Sequence, residues 1–187
     1  MSRRLPTHAG SNVIVYMTGH GGKGFMKFHD KDMLLSEDLG LALDDMHAAG
    51  RYREMLLLVD TCEAATMLTG VRAPGITAVA SSLRSQSSHS HMHNSEVGIS
   101  AVDEFAYGVG KAMKEIDGYR SSMTLRQFLG IAASVVQQSD MSVVPPVVDG
   151  VREEGYIDAR TAAHFMAPPP VPTSGGVVET YPTGLRF

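Results

Sequence analysis

Apolar positions in this chain fall into short blocks whose spacing predicts most of its elements. Residues 12–18 (NVIVYMT) are apolar, rich in β-branched side chains and closed by Gly19, the pattern of a buried strand. Four glycines in the six residues 19–24 then supply the backbone freedom of a sharply turning loop. The alternation FMKFH over residues 25–29 predicts a short strand or half of a hairpin. Ser36, followed by Glu37 and Asp38, reads as a helix N-cap with acidic residues in the first turn. Leu39, Leu43 and Met46 give that helix its buried face, and Gly50 ends it. Residues 55–60 (MLLLVD) and 76–81 (ITAVAS) predict two more buried strands. Strands joined by a helical crossover run parallel, so the first two long strands should be neighbours in one sheet.

Further along, Ser100 opens a helical pattern with Val102, Phe105, Ala106, Val109, Met113 and Ile116 on one side, interrupted by Gly108 and Gly110. The run Thr124-Leu125-Arg126-Gln127 matches a capping box, and Leu125, Phe128, Leu129, Ala132 and Val136 continue it as an amphipathic helix. From residue 167 onward Pro, Gly, Thr and Ser dominate, which predicts a disordered tail over 167–187. Residues 1–10 are expected to be a disordered start, leaving one organised domain over 11–166.

Composition narrows the function. The 187 residues are enough for a single domain with a real core, and 43% hydrophobic against 19% charged residues describes a globular chain. A net charge of −4 lacks the basic excess of a phosphate-backbone binder, so no nucleic-acid partner is expected. No apolar run approaches the roughly 20 residues needed to cross a bilayer, and no apolar segment follows Arg3 and Arg4 to make a signal peptide. Twelve methionines scattered at helical spacing are read as core filling. The alternate histidines His89, His91 and His93 sit among serines without a carboxylate or thiol cluster nearby, and neither a metal site nor a cofactor is predicted from them.

The single cysteine, Cys62, can form no internal disulfide and no cysteine-based zinc site. Its position points to chemistry. His20 follows the first strand by two residues and Cys62 follows the MLLLVD strand by two, so both should leave the same sheet edge. Ligands and catalytic groups of open parallel sheets gather at that edge. An imidazole beside a thiol can take its proton, generate the nucleophilic thiolate and return the proton to a leaving amine. The backbone N–H groups of Gly21 and Cys62 are the oxyanion-hole candidates. The structural alternative is a small buried cysteine and an ordinary loop histidine; the shared edge and the glycine frame favour the reacting pair.

These residues also carry a family resemblance. Tyr16-Met17-Thr18-Gly19-His20-Gly21-Gly22-Lys23-Gly24-Phe25 and Leu57-Leu58-Val59-Asp60-Thr61-Cys62 resemble the catalytic subunits of glycosylphosphatidylinositol (GPI) transamidases, relatives of legumain and the caspases. Arg51-Tyr52, Ala80-Ser81-Ser82 and residues 98–107 extend the likeness, which covers roughly residues 10–117. The resemblance implies an α/β, three-layer caspase-like sandwich with a mainly parallel sheet, incomplete on its N-terminal side. It implies Cys62 as nucleophile and His20 as general base in cleaving a C-terminal signal peptide through a thioester, which the ethanolamine amine of the GPI glycolipid then resolves. It further implies that Asp60, Ser81, Ser82 and Asp103 line the primary specificity site. Each of these four has a structural alternative: a strand-end carboxylate, two loop serines and a first-turn helix charge.

The implied partners are the other subunits of a membrane complex on the lumenal face of the endoplasmic reticulum, precursor proteins with a C-terminal GPI signal, and the glycolipid. In the usual family members a third catalytic residue, acidic metal ligands and a cysteine joining a partner subunit lie upstream of the stretch matched here, and a membrane helix follows it. A legumain-like endopeptidase and a subunit that docks without catalysis are the two alternative readings.

Overall fold

The computed structural model describes residues 5–29, 31–94 and 99–166. In chain order they form β1 (Asn12–Thr18), β2 (Gly21–Gly22), β3 (Phe25–Phe28), β4 (Asp32–Leu35), α1 (Ser36–Ala48), β5 (Glu54–Asp60), a 3₁₀ helix (Ala64–Gly70) and β6 (Ile76–Ala80). There follow β7 (Ser90–Asn94), β8 (Ile99–Asp103), α2 (Glu104–Lys114), α3 (Leu125–Ala133), β9 (Ser142–Val144), β10 (Val147–Val148), β11 (Val151–Arg152), α4 (Tyr156–Ala159) and α5 (Ala163–Met166). The central sheet has the order β1-β5-β6-β9, with β1, β5 and β6 parallel and β9 antiparallel to β6. The three strands expected from the sequence are present, and the first two are parallel neighbours.

Strand β5 is inner and apolar on both sides, which divides the core into two. Met55, Leu57 and Val59 join Leu39 and Leu43 of α1 and Met67 and Leu68 of the 3₁₀ helix on one face. Leu56 and Leu58 point the other way, into Phe105, Val109 and Ala112 of α2, Phe128 and Leu129 of α3 and Tyr156 of α4. Alternation at a period of two, on a strand covered on both faces, produces this helix–sheet–helix layering. The fold is thus α/β with a mostly parallel sheet, consistent with the caspase-like class.

Helix α1 begins one residue earlier than the Ser36 N-cap predicted: Ser36 is its first residue and Leu35 occupies the cap without a side-chain bond. The Ser36 amide bonds instead to the Gly24 carbonyl at 2.9 Å, so the glycine loop satisfies the helix end that a hydroxyl would have served. Gly50 stands at φ 59°, the left-handed terminator its position implied. The helix expected from Ser100 starts only at Glu104, because Ile99–Asp103 pairs with Ser90–Asn94 in a hairpin. Val102 therefore belongs to a strand, and Met113, placed on the buried face from spacing, is exposed. Gly108, which weakened the prediction, has a packing role: a Cβ there would lie 2.5 Å from the Ala132 carbonyl oxygen, so α2 and α3 touch backbone to backbone. The capping box of α3 forms in both directions, with Gln127 N–H donating to Thr124 Oγ1 and Thr124 N–H donating to Gln127 Oε1. The tail predicted over 167–187 lies outside the described residues.

Candidate active site

The β1–β5 register runs from Asn12 against Glu54 to Thr18 against Asp60, a constant offset of 42 residues. His20 and Cys62 stand at the same offset (62 − 20 = 42), each two residues past the last registered pair, at the C-terminal edge of strands about 4.8 Å apart. The ladder continues one step further, with Gly19 N–H donating to the Asp60 carbonyl at 3.3 Å. His20 is exposed and Cys62 is half-buried with a free thiol.

The glycine loop turns sharply, as expected, and closes into a hairpin with the FMKF strand. Lys27 N–H donates to the His20 carbonyl at 2.8 Å, and Gly21 and Gly22 pair with Met26 and Phe25. At Gly21 a Cβ would lie 2.5 Å from Thr61 Oγ1 and 2.6 Å from the Phe25 carbonyl oxygen, so only glycine lets the loop lie against the segment bearing Cys62.

The Cys62 turn is held from below. Glu63 is left-handed (φ 53°), which swings the chain off β5 into the 3₁₀ helix. Ser82 is fully buried, and its Oγ accepts from Ala64 N–H at 3.0 Å and donates to the Thr61 carbonyl at 2.8 Å. One hydroxyl thus bridges the backbone on both sides of Cys62, and the Ser82 carbonyl accepts Ala65 N–H as well. In contrast, Thr61 Oγ1 and Ser81 Oγ are buried without a hydrogen-bond partner among the described residues.

Beside this turn lies a carboxylate pocket. Asp60 is buried, Tyr16 Oη donates to its Oδ2 at 2.9 Å, and Ser88 Oγ donates to its Oδ1 at 2.8 Å. Burial pushes the Asp60 carboxyl above its ordinary range; the Ser88 and Tyr16 hydroxyls oppose that, and nearby Asp103 adds to it. Ser81 Oγ also favours the charged form from close by, without hydrogen-bond geometry. The Tyr16 hydroxyl is pushed up in turn, by burial and then by the Asp60 charge. Asp103 occupies the N-cap position of α2 but makes no cap bond; its Oδ2 faces Thr18 Oγ1 at 3.5 Å.

Of the six side chains expected at the site, His20, Cys62, Asp60 and Asp103 thus belong to one sheet edge, and Ser81 and Ser82 follow β6 at that edge, level with Asp60 and Thr61 in the β5–β6 register, with the Ser82 hydroxyl engaged by backbone. Sequence reasoning missed Tyr16 and Ser88. Tyr16 could have been found, since it lies two residues before Thr18 on the strand paired with the one ending at Asp60. Ser88 sits in a serine-rich stretch whose composition carries no positional signal. Among the described residues no group of three or more histidine, cysteine or acidic side chains is arranged to hold a metal.

Comparison with known proteins places the chain in a family. The chain is 38% identical to the GPI-anchor transamidase of Schizosaccharomyces pombe over 128 residues, covering 68% of this chain and 34% of that protein. It is 41% identical to the GPI-anchor transamidase of Saccharomyces cerevisiae over 125 residues (67% and 30%) and 37% identical to the human one over 116 residues (62% and 29%). The chain spans about a third of the length of these curated relatives. The model of the peptidase C13 family matches residues 3–144, well over half of the sequence and all of the parallel strands. This chain belongs to the peptidase C13 family.

Proposed function

We propose that this chain carries the catalytic segment of a GPI-anchor transamidase, with Cys62 as nucleophile and His20 as general base. The observation that supports the reading is the 42-residue offset of the β1–β5 register, by which His20 and Cys62 each follow the last registered pair by two residues at one sheet edge. His20 takes the thiol proton as sulfur attacks the carbonyl at the cleavage site of a precursor. The oxyanion that forms is held by the backbone N–H groups of Gly21 and Cys62. Collapse expels the signal peptide as an amine, protonated by the imidazolium, and leaves a thioester on Cys62. The ethanolamine amine of the glycolipid attacks that thioester, gives a proton to His20, and releases the thiolate as a new amide forms. Asp60, with Tyr16, Ser88 and Asp103, forms the wall that selects the residue before the scissile bond. Ser81 stands beside Asp60 at the end of the next strand, and Ser82 serves the wall by holding the turn.

The relatives' names support the transfer reaction, and with it a role in an endoplasmic reticulum complex together with other subunits, GPI-signal precursors and the glycolipid. Among the described residues no helix is long and apolar enough to cross a membrane. The test is product analysis in membranes containing the chain, given a precursor with a C-terminal signal and hydrazine as a small amine. A product ending in a hydrazide is expected, and Cys62→Ala should give no product at all. A product ending only in a free carboxylate at saturating amine would instead mark a legumain-like hydrolase.

A further inference from the structure

Thr66 lies four residues beyond Cys62, in the 3₁₀ helix Ala64–Gly70. Its Oγ1 accepts the Gly24 N–H at 2.7 Å and lies 2.7 Å from the Glu63 carbonyl, with the Gly22 carbonyl more distant at 3.4 Å. A threonine hydroxyl has one hydrogen to give, and the shorter distance assigns it to Glu63. One oxygen therefore ties the hairpin that leaves His20 to the residue that follows Cys62. The neighbouring contact between these segments, Gly21 against Thr61, is a steric one, and Thr61 Oγ1 makes no hydrogen bond across it. Other bonds of the hairpin, among them Lys27 N–H to the His20 carbonyl and Ser36 N–H to the Gly24 carbonyl, hold it to itself and to α1.

We propose that Thr66 is a positioning residue: its hydroxyl fixes the imidazole-bearing loop against the thiol-bearing turn and so sets the proton transfer between His20 and Cys62. This rests on reading those two as the reacting pair. A threonine in a short helix otherwise contributes only to stability, and the two roles separate experimentally. The rate of Cys62 alkylation by iodoacetamide is measured from pH 5.5 to 9 on the full chain, with melting followed in parallel. Thr66→Val keeps the shape and loses the hydroxyl; Thr66→Ser keeps the hydroxyl. The expected result is an about tenfold slower reaction at neutral pH for Thr66→Val, about the worth of one hydrogen bond. Thr66→Ser should stay within about twofold of the parent, His20→Ala should also be slow, and Thr66→Val should slow the His20→Ala protein no further.

An unchanged rate in His20→Ala would overturn the reacting pair, and this proposal with it. A slow His20→Ala beside a Thr66→Val that keeps the parent rate, or that slows the His20→Ala background by the same factor, would overturn the role of Thr66 and leave the pair standing. Should Thr66→Val fail to fold, Thr66→Ala, which also lacks the hydroxyl, is judged by the same comparison.

Discussion

The two ends of the β1–β5 pair use polar residues in opposite ways. At the N-terminal end the polar side chains interlock: Glu54 contacts Arg160 through Oε1 and His164 Nε2 through Oε2 at 2.6 Å, while Arg53 bonds Asn12 and Asn12 bonds the His164 carbonyl. These contacts tie α4 and α5 to the start of the sheet. At the C-terminal end, among the described residues, Asp60 is buried with no cation paired to it, the Thr61 and Ser81 hydroxyls have no hydrogen-bond partner, and His20 faces solvent. Unpaired buried polar groups cost stability. One end is built to hold, and the other tolerates strain where chemistry is proposed.

Glu54→Ala tests the holding end and should have the largest effect. It takes a mostly buried carboxylate away from the Arg160 guanidinium and the His164 ring and should cost about 3 kcal/mol in denaturant unfolding, discounted from a fully buried pair because Arg160 is partly exposed. A loss below about 1 kcal/mol would mean that the contacts are ornamental and the comparison false. At the other end Gly21→Ala should cost about 2 kcal/mol, since the added carbon meets the Phe25 carbonyl, which cannot rotate away. It should also slow Cys62 alkylation by moving the loop.

The smallest effect sharpens the contrast through pH. Burial raises the Asp60 carboxyl, so the folded state holds a proton that the unfolded chain has released, and stability falls as pH climbs above the ordinary carboxylate range near 4. Asp60→Asn should therefore gain up to about 1 kcal/mol at neutral pH while losing the proposed specificity. His164 works in the other direction. Burial lowers its imidazole, partly offset by Glu54, so the unfolded chain binds protons first as pH drops below about 6.5 and stability falls toward acid. His164→Gln should flatten the acid side of a melting-temperature profile and leave the alkaline side unchanged. The facing groups are Asn12 on β1, Arg53 just before β5, Glu54 on β5, and Arg160 just after α4.

The legible part of this molecule was local. The NVIVYMT and MLLLVD blocks reported their strands because a buried strand needs an apolar run and little else, and equal two-residue offsets placed His20 and Cys62 at one edge. The Thr124 capping box carried its own geometry in four letters. What escaped depends on partners remote in sequence. Ser100 to Asp103 became strand by pairing with Ser90–Asn94, a partner that its own residues do not announce. Ser82 resembles a pocket residue in sequence, yet its hydroxyl is engaged by backbone 18 and 21 residues away. Ser88 and Tyr16 meet at Asp60 from opposite directions along the chain, a convergence no spacing announces.

The alternation of β5 has one more effect. Sliding β1 against it by a single residue would turn Val13, Val15 and Met17 from the packed side toward the opposite face, so the core forbids that step. The next permitted step is two residues, roughly 6–7 Å of travel. The alignment of ring and sulfur along the strands is therefore quantised: greasy residues far from the reaction admit one setting and reject its near misses outright.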